Sequence, residues 1–209
     1  MGHVIEKARQ NEVAKRAHLT FFKHVVFENM ETQPPTIIKT ETYRIVGNNG
    51  RSLEQLIRRN GIPITTAPLS PGTFDFGEAL ATRYTFTLQG EEIINERAYF
   101  RIIFEPKEPR ERLPTHTRED EGINRMTGVV LVDMEDFTVW KVEGRVDESF
   151  RKAGIFKLNH FELTFEQERK FDIMVPKTMI IVLNYSTLGF ETHERRTYTY
   201  SDHADNRLH

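Results

Sequence analysis

The sequence predicts a mainly β protein of the α+β class: an antiparallel meander of about ten strands that follows one N-terminal helix. Short runs of alternating apolar and polar residues recur along the chain, and turn residues separate them at roughly 8–14-residue intervals. Helical patterns do not alternate with these runs, which argues against a parallel sheet of βαβ units. We therefore expect the 209 residues to form one domain, either a barrel or a strongly curved sheet with a helical cover.

The strand pair with the clearest pattern covers residues 127–145. It starts with a β-branched run, and Asp133–Asp136 then supplies an acidic turn, because Asp side chains bond to turn backbone. After the turn, Trp140 and Val142 alternate in phase with each other, and charged residues occupy the opposite phase. The pattern predicts a hairpin with one wet face, and it places Trp140 beside Val142 on the apolar, concave face.

The segment Val4–Ala17 is predicted to form the single helix, since it contains strong helix formers and no Gly or Pro. Its apolar face is thin, which indicates a helix that lies over the sheet. We predict strands over 19–28, 36–46, 51–60, 82–89, 97–105, 127–133, 137–146, 154–165, 178–188 and 192–201.

The connections between these strands carry turn signals. Gly47–Gly50 is an Asn-Gly hairpin turn, and Gly90–Glu92 is predicted to join two strands. Residues 64–81 contain several Pro and Gly residues and are predicted to form a long loop or flap. Residues 107–125 are charged, contain two prolines and are predicted to form a solvated loop. A break is predicted at Ser149–Ala153.

Composition and charge exclude several classes of function. The net charge of −2 argues against a general nucleic-acid binder, which needs excess Lys and Arg. Cysteine is absent, so disulfides and Cys-ligated metals are excluded. No run approaches the ~18 apolar residues that cross a bilayer. The N-terminus has no secretory signal, so we expect either a cytoplasmic protein or a mature form whose signal has been removed.

No catalytic or metal-binding motif is visible. The eight histidines are scattered without an HxxxH pair, so no metal site is predicted. Glu91, Glu92, Asp133 and Asp136 fall in predicted turns, where acidic residues are ordinary. Nucleophile elbows, phosphate loops and dinucleotide motifs are missing. We accordingly predict no catalytic residue and no cofactor.

The remaining candidate is an apolar surface built from alternating strand residues. The predicted ligand-cavity residues are Tyr84, Phe86, Leu88, Phe100, Ile102, Phe104, Trp140, Val142, Ile181 and Leu183. The same side chains would equally fill an ordinary core, and strand curvature, which the sequence does not give, decides between the two.

Four segments, in this order, resemble the outer-membrane lipoprotein-sorting family of bacterial envelopes, the LolA/LolB-like proteins. They are VIEKARQNEVAKRAHLTFF, ETYRIVGNNGRSLEQLIRRNGIPIT, LQGEEIINERAYFRIIFEP and GVVLVDMEDFTVWKVEGR. The resemblance implies a half-open antiparallel β-barrel whose concave, apolar face is covered by helices and takes acyl chains. The helical insert that such relatives carry between the third and fourth strands is shortened here to the loop 64–81.

The resemblance also implies a function. We expect a non-enzymatic periplasmic binding or carrier protein for the acyl chains of lipids or lipoproteins, with peripheral contact to membrane-associated partners. Two alternatives stay open: an envelope sensor or scaffold that binds a protein partner, and a hydrolase built on a similar half-barrel. An apolar cleft would favour the carrier, whereas ionisable groups in a polar cleft would favour the enzyme.

Overall fold

The computed structural model describes residues 18–48, 51–65, 67–68, 70–71, 83–107, 124–152, 156–170 and 173–205, together with Glu6, Lys7, Gln10 and Gly122. The described residues form thirteen strands in one antiparallel sheet. The strands are β1 (Leu19–Asn29), β2 (Thr36–Asn48), β3 (Arg51–Arg59), β4 (Ile62–Pro63), β5 (Ser70–Pro71), β6 (Tyr84–Ile94), β7 (Arg97–Pro106), β8 (Thr127–Asp133), β9 (Val139–Val146), β10 (Phe150–Lys152), β11 (Phe156–Lys170), β12 (Ile173–Thr187) and β13 (Phe190–Asp205).

The sheet is open, and its order is β4-β3-β2-β1-β13-β12-β11-β9-β8-β7-β6. The short strands β5 and β10 pair with β3 and β11 beside this path. The first long strand, β1, pairs with the last, β13, so this one long-range contact joins the meander β1–β4 to the meander β6–β13. Because one sheet contains every described strand, we keep the prediction of a single domain.

Three hairpins turn through pairs of residues with positive φ. These pairs are Asn60–Gly61 (48° and 79°), Asn95–Glu96 (49° and 66°) and Leu188–Gly189 (53° and 86°). Two such residues match the twist of the flanking strands. The predicted turn at Gly90–Glu92 is wrong: these residues lie inside β6, where a bulge at Leu88/Gly90 shifts the register, and the turn comes at Asn95–Glu96.

Each of the ten predicted strands overlaps an observed strand, although the ends differ. The short strands β4, β5 and β10 were not predicted. Strand β5 lies within the predicted loop 64–81, whose residues 72–81 are outside the described part of the chain. Strand β10 occupies the predicted break at Ser149–Ala153 and pairs with β11. Most of the predicted loop 107–125 is outside the described residues.

The predicted N-terminal helix is not supported. Of Val4–Ala17, the structure describes only Glu6, Lys7 and Gln10, and no helix is among the elements that the described residues form. The helical cover of the concave face therefore stays a prediction from the sequence. Among the described residues there is no helix long and apolar enough to cross a membrane.

Most of the buried hydrophobic residues lie on one face of the sheet, which we call the core face; the opposite face is the outer face, and a few buried residues, such as Tyr99 and Leu131, lie on it. Directly paired residues of neighbouring strands share a face, so the register assigns each residue. The buried cluster consists of Tyr84, Phe104, Met126, Val142, Val146, Leu158, Phe161, Leu163, Phe165, Met179, Ile181, Leu183 and Tyr185.

Two glycines bring covering groups onto the middle of the core face. The backbone of Gly122 lies so close to the ring of Phe161 that a Cβ would overlap it. A Cβ at Gly144 would overlap the Met126 side chain, which is itself 2% exposed. The backbone of Gly122 and the side chain of Met126 therefore cover part of the core face.

Candidate functional site

One row of directly paired residues crosses the core face from β6 to β3, and we call it the central row. Its members, from β6 to β3, are Leu88, Ile102, Val130, Val142, Phe165, Met179, Tyr198, Val25, Glu41 and Arg59. The row is apolar or aromatic from Leu88 to Val25 and becomes charged at Glu41 and Arg59. The core face therefore has an apolar half and a polar half.

The polar half begins at β13. Strands β13, β1, β2 and β3 place charged and hydroxyl side chains on the same face as the hydrophobic cluster. These side chains are Lys23, Lys39, Glu41, Tyr43, Glu54, Arg59, Glu194, Arg196, Tyr198 and Tyr200. A sheet face that adjoins a hydrophobic core is ordinarily apolar, and buried charges are tolerated only when they are paired.

Glu41 is the best-connected carboxylate of the polar half. Its side chain is 4% exposed, and it accepts hydrogen bonds from Tyr43 (2.8 Å), Lys39 (3.3 Å) and Arg59 (3.0 Å). Burial acts to raise the pKa of Glu41, but the hydrogen bond from Tyr43 and the two cations outweigh it, so this pKa is lower than usual. Glu41 therefore stays ionised and holds both cations in place.

A second buried ion pair joins β1 to β3. The Lys23 ammonium lies 2.5 Å from a Glu54 carboxylate oxygen, and the two side chains are 10% and 9% exposed. The same ammonium lies 4.3 Å from the centroid of the Tyr43 ring, where the negative face of the ring attracts a cation. Lys23 is therefore bound from two sides.

Phe27 lies between two cations of the polar half. Lys39 Nζ is 4.0 Å and the Arg196 guanidinium 5.1 Å from the centroid of its ring. Arg196 also forms an ion pair with Glu194, and it is the direct neighbour of Ile181 in the apolar half. The boundary between the two halves thus consists of aromatic rings with cations beside them.

Three tyrosines of the polar half have pKa values above the ordinary value for tyrosine. Burial raises the pKa of Tyr198 to about 12, and burial is also the main reason that the pKa values of Tyr43 and Tyr200 are raised. Tyr198 and Tyr200 pack against the hydrophobic cluster. Their rings extend the apolar surface, while their hydroxyl groups add polar character to it.

The structure places nine of the ten predicted cavity residues in three groups. Six are buried on the core face, with exposures from 0% to 4%: Tyr84, Ile102, Phe104, Val142, Ile181 and Leu183. Phe86 and Phe100 are partly buried on the same face, and Leu88 is 48% exposed at the sheet edge. Ile102, Ile181 and Leu183 are at most 1% exposed, so packed neighbours cover this part of the apolar half.

Trp140 does not share the face of Val142, so its predicted position is wrong. The β8–β9 register shifts between Leu131 and Val132, and this bulge leaves Trp140 without a direct partner. Its ring packs on Tyr99 with centroids 4.8 Å apart. By alternation along β7, Tyr99 lies on the outer face, opposite to Ile102.

The acidic turn after β8 is structural. Asp133 is 3% exposed, and its carboxylate accepts hydrogen bonds from the backbone N–H groups of Glu135 (2.9 Å) and Asp136 (3.3 Å). The same carboxylate forms an ion pair with Arg97. The predicted role of this segment as a turn is confirmed. Among the described residues, no group of three His, Asp or Glu side chains is arranged to hold a metal ion.

The polar half was missed from the sequence. In β1, Lys23 alternates in phase with Val25 and Phe27, so a lysine within an apolar phase was the available signal. In β2 and β3, seven charged residues are interspersed among the apolar ones, so alternation alone does not assign the charged residues to a face. Only the pairing of β2 and β3 with β1 shows which face they occupy.

Comparison with known proteins supports the fold. No protein-family model matches the sequence, and no curated protein matches it. Among solved structures, the chain is similar to a LolA superfamily protein from Nitrosomonas europaea, with a TM-score of 0.50, 12% identity and coverage of 97% of this chain and 91% of that one.

Two further structures agree. A DUF1329 family protein from Desulfovibrio piger matches with a TM-score of 0.51, 11% identity and coverage of 98% and 92%. A putative outer membrane lipoprotein-sorting protein domain from Vibrio parahaemolyticus matches with a TM-score of 0.51, 14% identity and coverage of 96% and 91%. The resemblance inferred from the four sequence segments is thus confirmed at the level of the fold: this chain has the same fold as the LolA superfamily protein, the DUF1329 family protein and the putative lipoprotein-sorting domain.

Proposed function

We propose that this protein is a non-enzymatic binding or carrier protein that takes acyl chains of a lipid or lipoprotein on the apolar half of its core face. The observation that supports it is the central row, in which apolar side chains from Leu88 to Val25 stand in register on one side of an open sheet. A sheet with one apolar face must cover that face. Among the described residues, Met126 and Gly122 supply part of that cover.

The energetics of an acyl chain suit such a surface. Each buried methylene contributes roughly 0.8 kcal/mol, so about ten of them contribute on the order of 8 kcal/mol before the costs of binding. The residues of the apolar half are already covered, in part by Met126 and Gly122. An incoming acyl chain has to displace some of these covering groups. The affinity therefore depends on how much more favourable the contacts of the core face with the acyl chain are than its contacts with the displaced groups.

The fold neighbours add indirect support. One of them carries the description of a putative outer membrane lipoprotein-sorting protein domain. On that basis we propose that this chain also works in the bacterial envelope, in contact with membrane-associated partners. The paired carboxylates of the polar half are consistent with a binding role, because each described one is engaged by a cation.

The test is displacement of a fluorescent fatty acid by palmitate, with native mass spectrometry to detect copurified lipid. Val130 and Val129 are adjacent on β8, both partly buried, on the core and outer faces respectively. Val130→Thr keeps the shape and adds a hydroxyl along the acyl path, at a cost of about 1–3 kcal/mol. We expect it to weaken binding by roughly tenfold, and we expect Val129→Thr to leave binding unchanged.

Two outcomes would overturn the proposal. The first is a folded protein that carries no lipid and gives no saturable displacement. The second is equal weakening by Val130→Thr and Val129→Thr, which would mean that the core face is not the binding surface. A protein partner captured by the polar half would then become the better account.

A further inference from the structure

The charged end of the central row has the geometry of an anion site. Arg59 uses only its Nε on Glu41, and its two terminal nitrogens bond to no described residue. Its side chain is 54% exposed, whereas the carboxylate that anchors it is 4% exposed. An arginine held through Nε presents its terminal NH₂ groups as free donors for a carboxylate or phosphate.

Lys39 adds a second cation to the same carboxylate. Its Nζ lies 3.3 Å from Glu41 and 4.0 Å from the ring centroid of Phe27, and its side chain is 39% exposed. The other ion pairs of the polar half balance one by one: Lys23 with Glu54, and Arg196 with Glu194. The group of Lys39, Arg59 and Glu41 therefore carries one excess positive charge.

This cation pair stands at the end of an apolar path. Met179 of the apolar half and Arg59 belong to the same row, separated by Tyr198, Val25 and Glu41. Four strand-to-strand steps of about 4.8 Å make that path roughly 19 Å long on a flat sheet. A bound molecule that follows the row would be apolar along most of its length and anionic at one end.

We propose that Arg59 and Lys39 bind the anionic headgroup, a carboxylate or a phosphate, of an amphiphile whose chain lies along the central row. The proposal rests on the function proposed above and adds a headgroup requirement to it. Glu41 is a positioning residue: it fixes both cations and does not touch the ligand. The site should prefer an anionic lipid to a neutral acyl ester, because only the anionic lipid carries a negative charge that can pair with the two cations.

The experiment compares palmitate, hexadecyl phosphate and methyl palmitate in the displacement assay, each below its micelle concentration. We expect both anions to bind at least tenfold more tightly than the ester. Arg59→Gln should remove most of this preference and leave ester binding unchanged. Whichever of palmitate and hexadecyl phosphate binds more tightly identifies the headgroup as a carboxylate or a phosphate.

Arg58→Gln is the matched control. Arg58 is the adjacent arginine of β3 and is also exposed, but it pairs with Thr42 on the outer face, so its loss should leave the preference intact. Lys39→Gln provides a second core-face variant, with the same expected direction as Arg59→Gln. Both positions are partly exposed, and we expect both variants to fold.

The failures of the two proposals are distinguishable. Equal affinity for palmitate and its methyl ester, or equal effects of Arg59→Gln and Arg58→Gln, would overturn the headgroup site and leave acyl-chain binding standing. Absence of binding by all three compounds would overturn both.

Discussion

Removal of the lysine from the buried Lys23–Glu54 pair should destabilise the fold strongly. Lys23→Met keeps the length and apolar volume of the side chain but leaves the Glu54 carboxylate, 9% exposed, without the ammonium 2.5 Å away. Removing one member of a buried pair costs about 3–5 kcal/mol, because a charge then stays in a low-dielectric site. The contact of Lys23 with the Tyr43 ring adds to this loss.

The double variant Lys23→Met/Glu54→Leu should recover most of that stability. Both charges are then gone, and apolar groups of similar size remain, a replacement that is often neutral in other buried pairs. Urea denaturation gives the free energy of unfolding, and the emission of Trp140 reports it, since this ring packs on Tyr99 on the outer face, away from the substitutions. A Lys23→Met cost below about 1 kcal/mol, or a double variant less stable than the single one, would refute the reasoning.

Three further predictions use single positions. Ile181→Ala on the core face, where the side chain is 1% exposed, should cost about 2–5 kcal/mol of unfolding free energy, and Ile180→Ala on the outer face, 37% exposed, about 1 kcal/mol or less; equal costs in urea denaturation would contradict the face assignment. Leu188→Asn should stabilise the protein by about 0.5–1 kcal/mol, because Leu188 has φ of 53° and is 71% exposed, and Asn tolerates that conformation; a lower melting temperature would count against it. The pKa of Glu41 is lowered in the folded state, so the stability that Glu41 contributes is present above its usual pKa of about 4.5 and is lost as the pH falls through the lowered value. Glu41→Gln should therefore flatten this part of the curve of unfolding free energy against pH. A variant whose curve keeps the slope of the parent protein would show that Glu41 is not the source of the pH dependence.

The long strands could be predicted from the sequence because alternation is a local property. Leu19–Asn29 and Thr127–Asp133 carry their pattern within a few residues, so their positions were found without knowledge of the fold. Strand β10 has three residues, too few for a period to be visible. The start of β12 was predicted too late, at residue 178 and not at Ile173, because a proline such as Pro176 usually marks the end of a strand. Here Pro176 lies at the Glu166/Gln167 register shift, where its missing N–H is tolerated.

The candidate site was only half predictable for a different physical reason. The apolar half follows from alternation, since nine of the ten predicted residues share the core face. The predicted face of Trp140 was wrong because a one-residue bulge breaks the alternation between Trp140 and Val142, and no residue type marks this bulge. The polar half depends on the pairing of β1 with β13, which are far apart in the chain, so local patterns could not place Lys23 or Glu41 beside a hydrophobic cluster.

The measurement that tests the central claim most directly is photo-crosslinking with a fatty acid that carries a diazirine near the end of its chain, followed by peptide mass spectrometry. Binding along the central row, with the headgroup at Arg59, predicts labelled core-face residues around Met179, roughly 19 Å along the row from Arg59. Excess palmitate should suppress this labelling. Labels on outer-face residues such as Ile180, or labelling that palmitate does not suppress, would contradict the claim that the core face binds acyl chains.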